Sequence, residues 1–364
     1  MIQNIQTLRF VAAALVVLAH GSKISPFGVP PIISNLGGFG VDLFFVISGF
    51  IIPYILFKDL STPASRNSYS FLYLRISRIW PIYVMFTALF LVLAHAVYLD
   101  PKLFNNHVLF AYREPQRDLW LALQSLTFTN DPSVQPTVAV GWTLQIEFVF
   151  YTLIALCLAF RIKTFIKVFI TVLAAVIFAT VASIMLPGAK DSILLTLIKN
   201  QLMLEFLMGM LLFAAYAKGM MLNRIIALGV LLLGLPAFFT LEYLGITAPL
   251  GGRDYHRAVV WGITAMLVVW AALSLEGYMP KSRILGLLGD SSYSLYLVHW
   301  ILLPWSTLAF ERLNLFDSFG LFGYLATYLI ASQLAAVAVH VYIEKPLNRL
   351  LKSFNRTRPA TSYA

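Results

Sequence analysis

The sequence predicts an all-α, polytopic membrane protein with about ten transmembrane helices and both termini cytoplasmic. Three observations carry this. Of 364 residues, 60% are hydrophobic and only 12% charged, about half the charged share of a soluble domain. Apolar runs long enough to cross a hydrocarbon core of about 30 Å recur along the whole chain. Lys and Arg, 26 in all, sort unevenly between the connections.

The first run, near 6–22, holds two ionisable groups, Arg9 and His20. It lacks a basic leader and a small-residue exit site, so it reads as a retained helix and not a signal peptide. The second, near 38–57, opens on Gly37-Gly-Phe-Gly40 and carries Asp42 and Ser48. The third, near 72–98, starts with Arg75 and Arg78. A connection over 99–140 is too polar to span; its piece 118–130 is amphipathic and is expected to lie at the interface or re-enter. Runs near 141–161, with Trp142 and Glu147, 164–187, 192–217, with Glu205, and 223–241 follow. A loop containing Gly251-Gly-Arg-Asp-Tyr-His256 faces outward on this plan. The last runs lie near 258–276, 290–310 and 319–343. Residues 1–350 thus read as a single domain, and 351–364 as a basic cytoplasmic tail.

On the even connections and the tail there are 16 Lys and Arg against 9 on the odd ones, with Arg9 inside the first run. Basic residues concentrate on the cytoplasmic side of membrane proteins. The net charge of +10 is therefore a topology signal, and nucleic-acid binding is a poor reading of it. A single cysteine, Cys157, excludes an intrachain disulfide framework and a cysteine metal cluster. No His-Glu-x-x-His spacing or glycine-rich nucleotide motif is present, so no metal site is expected.

Ionisable groups inside a membrane are costly and usually functional. Arg9 and His20 are eleven residues apart, about three full turns, so they share one helix face about 16 Å apart. Topology puts Arg9 near the cytoplasmic end. It puts His20, Asp42 and Glu147 at one outer level on three helices. The competing reading makes Asp42 and Glu147 structural groups that hold helices together.

Six motifs in order then bear a resemblance. They are Arg9-x10-His20, Gly40-Val-Asp-Leu-Phe-Phe-Val-Ile-Ser-Gly-Phe50, Leu74-Arg-Ile-Ser-Arg-Ile-Trp-Pro81, Trp142-Thr-Leu-Gln-Ile-Glu147, Ser291-Ser-Tyr-Ser-Leu-Tyr-Leu-Val-His299 and Ile343-Glu-Lys-Pro346. Together the chain resembles the acyltransferase-3 family of integral membrane acyltransferases, and most resembles the members that modify exopolysaccharide or O-antigen lipopolysaccharide.

The resemblance implies a bacterial inner-membrane enzyme. It would transfer an acyl group, most often acetyl, from cytoplasmic acyl-CoA to a hydroxyl of an envelope or exported glycan, without a permanently bound cofactor. A lipid-linked glycan acceptor and a homo-oligomer are both compatible with this reading, and membrane lipids would surround the chain. By the same resemblance Arg75, Arg78 and Arg9 would grip the coenzyme phosphates, and Tyr293, Ser294, Tyr296 and His299 would line its mouth. His20 would be the general base and Asp42 would fix its tautomer. Trp142, Glu147 and Asn130 would meet the acceptor, and Glu344 would orient an arginine. The competing function class is a secondary transporter, or a translocator that moves acyl groups without completing the transfer.

Overall fold

The structure is a computed structural model and describes residues 2–27, 31–113, 117–186, 188, 192–244, 258–278 and 281–356. Among the described residues every regular element is helical. The Gly251–His256 loop and residues 357–364 of the tail lie outside them.

The apolar runs fall on helices in order. They are α1 (Gln3–Ile24), α2 (Pro31–Leu56), α3 (Ser68–Leu99), the short α4 (Leu119–Thr127), α5 (Trp142–Ala159), α6 (Phe165–Met185), α7 (Leu202–Ala217), α8 (224–243), α9 (Ala258–Ser274), α10 (Arg283–Asp290), α11 (Ser292–Arg312), α12 (Leu315–Val339) and α13 (Lys345–Arg356). Among the described residues, seven helices are long and apolar enough to cross a membrane, while α7 and α9 are apolar but shorter. The run expected over 192–217 is broken. Its first part is a helix over Ile193–Ile198, and Asn200 then accepts from the Leu202 amide at 3.0 Å, capping a new start for α7.

Glycines decide which helices approach most closely. A Cβ on Gly40 would lie 2.5 Å from the Ala12 carbonyl oxygen, so α1 and α2 touch backbone to backbone. At the crossing of α2 and α7, a Cβ on Gly49 would lie 2.2 Å from the Phe206 oxygen, and one on Gly209 would lie 2.1 Å from the Val46 oxygen. Small residues are how membrane helices gain close packing without a hydrophobic driving force.

One end of the bundle is tied together by polar contacts. The Glu276 carboxylate accepts from the backbone amides of Gln3 and Asn4, both at 2.9 Å, and so caps the otherwise open N-terminus of α1. Gln6 donates to Asp290, and Tyr73 at the start of α3 donates to the Leu351 carbonyl of α13 at 2.7 Å. The starts of α1 and α3, the connection between α9 and α10, and α13 therefore share one end. This is the grouping that the distribution of Lys and Arg predicts.

The 118–130 segment does not lie flat on the bundle. Trp80 donates to the Leu126 carbonyl at 2.9 Å, and Trp80 is twelve residues, about 18 Å, into α3. Gln145 in the first turn of α5 donates to the carbonyls of Phe128 and Asn130. Phe128 ends α4 with φ 57°, a conformation costly for a side-chain-bearing residue. Its ring is held between Tyr83 and Phe148, with centroids 5.7 and 4.2 Å away.

Candidate active site

A cavity of about 860 Å³, its open mouth included, lies between α1, α2, α3, α5 and α11. Arg9 enters from α1, and Arg75 and Arg78 enter from α3, where their i, i+3 spacing puts both on one face. Arg9 donates to Gln6 Oε1 at 3.0 Å. Among the described residues neither Arg75 nor Arg78 has a carboxylate within 4 Å, and Arg75 Nε is buried without a hydrogen-bond partner.

The carboxylate that both Arg9 and Arg75 feel at longer range is Glu147. Glu147 is held by two hydroxyls. It accepts from Tyr151, one turn along α5, and from Ser48 of α2 at 3.3 Å. Three guanidinium groups thus converge on one cavity whose lining carboxylate, Glu147, is already bonded, while Asp290 and Glu344 act on Arg9 from outside the lining. Cations held in a water-poor space favour an anionic ligand, and guanidinium suits phosphate.

Tyrosines form the walls. Tyr293 donates to the Ile79 carbonyl at 2.8 Å, which fixes α11 against α3. Tyr296 donates to the Val140 carbonyl at 3.0 Å, and its oxygen lies 2.8 Å from Thr143 Oγ1. Ser292, Tyr296 and His299 are spaced i, i+4, i+7 and share one face of α11 over about 10 Å. Ser292 and Tyr296 line the cavity, and His299 stands one turn further on.

Beyond Tyr296 two imidazoles meet. His299 Nε2 lies 3.2 Å from His20 Nδ1, with ring centroids 5.2 Å apart and the ring planes inclined by 27°. Trp300 packs edge-on against His20 at 5.3 Å. His299 is fully buried, whereas His20 keeps partial exposure. The shared face of Arg9 and His20 on α1 thus runs beside the shared face of Ser292 and His299 on α11. Each helix offers cavity groups at one end and a histidine at the other.

Several expected placements are corrected. Asp42 does not reach His20. Gly37 and Gly40 mark the face of α2 that meets α1, and Asp42 lies about 160° round from Gly40. It shares the Val46–Gly49 stripe that packs on α7. Glu147 is not level with His20 and faces the arginines instead. His299 is at the far end of the cavity's helix face and not at its mouth. Ser294 turns away and donates to Glu344 at 2.7 Å; Glu344 also bonds His340 at 2.9 Å, so its direct bonds go to these two residues and it acts on Arg9 only at longer range. Asn130 is buried and donates to the Val134 carbonyl within its own loop. Trp142 is exposed at the start of α5.

Tyr151, Ser292, Thr143 and Gln6 were not singled out from the sequence. Only Tyr151 left a readable trace, its i, i+4 spacing from Glu147. Ser48 bonds Glu147 while its neighbour Gly49 makes the close helix contact.

A membrane-embedded bundle with three arginines lining one cavity, and paired histidines one turn past Tyr296, suits a multi-pass membrane enzyme of group transfer. The chain belongs to the acyltransferase-3 family: the match, to an acyltransferase domain, covers residues 2–341. It is therefore an acyltransferase, and the transporter reading falls. It is similar to the exopolysaccharide production protein ExoZ of Rhizobium meliloti (strain 1021), with 29% identity over 325 residues covering 86% of this chain and 90% of that protein. No solved structure matches it.

Proposed function

We propose that this protein transfers an acyl group, acetyl in the first instance, from acyl-CoA to a hydroxyl of an exopolysaccharide or related envelope glycan. It would do so from the inner membrane, with the Arg75 end of the bundle facing the cytoplasm. The observation that carries the donor assignment is that Arg9, Arg75 and Arg78 line one cavity whose lining carboxylate, Glu147, is already held by two hydroxyls. Coenzyme A brings a pyrophosphate and a 3′-phosphate to such a site, and its pantetheine arm is long and thin enough to follow the Tyr293–Tyr296 wall. The similarity to ExoZ supports the acceptor class, and the excess of Lys and Arg at the Arg75 end supports the orientation.

His20 is the general base. The acceptor hydroxyl oxygen bonds to the thioester carbonyl carbon while its proton passes to a His20 ring nitrogen. The carbon–sulfur bond then breaks, and the departing sulfur takes the proton from the imidazolium. No serine or cysteine nucleophile is required. Cys157 is buried within α5, away from the cavity.

The test is coupling. Protein in lipid nanodiscs, given acetyl-CoA, should release free coenzyme A thiol rapidly only when deacylated exopolysaccharide oligosaccharide is supplied, with acetate ester appearing on the sugar. Thiol release at the same rate without any glycan, and no ester on sugar, would contradict the reading.

A further inference from the structure

We infer that His299 is a positioning residue for the transfer: it fixes His20 as the Nδ1–H tautomer, so that Nε2 is the His20 nitrogen that takes the acceptor's proton. This rests on the reading of His20 as the base.

The hydrogen bonds around His299 allow one assignment. Its Nδ1 lies 3.0 Å from the Leu295 carbonyl oxygen, which can only accept, so Nδ1 carries the proton. In the neutral ring Nε2 is then a lone pair. A second proton would make His299 a fully buried cation, and no carboxylate bonds its ring among the described residues. The lone pair faces His20 Nδ1 at 3.2 Å, so His20 Nδ1 must be the donor.

The aim of that lone pair is held from several sides. The His299 carbonyl accepts from Tyr328 at 2.7 Å, Tyr296 packs against the ring at 5.9 Å, and the two imidazoles meet edge to edge with their planes inclined by 27°. His299 thereby does for His20 what a carboxylate does in a Ser-His-Asp arrangement, namely fix tautomer and ring orientation. It does so as a neutral acceptor, so no net charge is buried.

The proton balance closes. The acceptor's proton arrives on His20 Nε2 and leaves from Nε2 to the departing sulfur, while the Nδ1 proton stays on its bond to His299 throughout. The base returns to the same tautomer after each turnover.

The test uses full-length protein in nanodiscs with 15N-labelled histidine. The His20 signals, assigned by their absence in His20→Ala, should show Nδ1 protonated and Nε2 unprotonated; the opposite pattern in the wild type overturns the proposal whatever any variant does. His299→Leu should lower kcat about 10- to 10²-fold, less than loss of the base itself, with KM for acetyl-CoA unchanged. His299→Gln, which can place an amide oxygen where Nε2 lies, should restore most of kcat. Wild-type kcat in His299→Leu, or no recovery in His299→Gln, overturns the proposal. Wild-type activity in His20→Ala overturns the underlying base reading instead, so the two failures are distinguishable.

Discussion

Truncating Arg75 is the cleanest probe of the donor site, because among the described residues no carboxylate lies within 4 Å of it. Arg75→Ala therefore strands no acid, and Glu147 keeps its bonds from Tyr151 and Ser48. The change in donor affinity then reads the lost ligand contact directly. A hydrogen bond to a charged group contributes roughly 1.5–3 kcal/mol. At about 1.4 kcal/mol per tenfold, coenzyme A should bind roughly 10- to 150-fold more weakly. Calorimetry on nanodisc protein measures this, with Arg349→Ala, exposed on α13, as the control expected to bind normally. Dephospho-coenzyme A, lacking the 3′-phosphate, should lose less affinity on truncation of Arg75 and Arg78 than coenzyme A does. Equal affinities for Arg75→Ala and Arg349→Ala would refute the assignment of these arginines to the coenzyme.

Glu147→Gln keeps an acceptor oxygen for Tyr151 and Ser48 but removes the negative charge facing the arginines. Coenzyme A should bind several-fold more tightly to it, and weaker binding in the same calorimetric assay would contradict that. Gly49→Ala forces apart two helices that meet backbone to backbone and should cost about 1–3 kcal/mol, seen as a lower Tm. Gly286→Ala, with open space around its Cβ, should not, and equal Tm values would refute the close-packing explanation. In a Cys157→Ser background, Asn105→Cys should react with impermeant maleimide in intact cells and Ser353→Cys only after permeabilisation. The reverse pattern inverts the proposed orientation.

Much of the fold was legible because membrane helices are written in composition. The apolar runs and the Lys and Arg distribution led to the helices and to the polar-tied end of the bundle. Helical arithmetic along one element also held: Arg9 with His20, and Arg75 with Arg78. What failed was inference between elements. Asp42 was placed by depth alone, yet depth does not give rotation, and the glycines of α2 turn its α1 face away from Asp42. The break at Asn200 was missed because one capping residue within an apolar run barely alters its hydropathy. The partnership of His20 and His299 joins residues 279 apart in sequence. Nothing local in either helix announces it.

Sidedness of the reaction is the most direct test of a donor held at the Arg75 end and a base at the His20 end. Proteoliposomes with the protein in one orientation would receive radiolabelled acetyl-CoA on the α13 side and glycan acceptor on the other. Acetyl-glycan should form across the membrane, and His20→Ala should abolish it while binding coenzyme A normally. Label appearing only when donor and acceptor are both placed opposite α13, or undiminished transfer by His20→Ala, would contradict this mechanism.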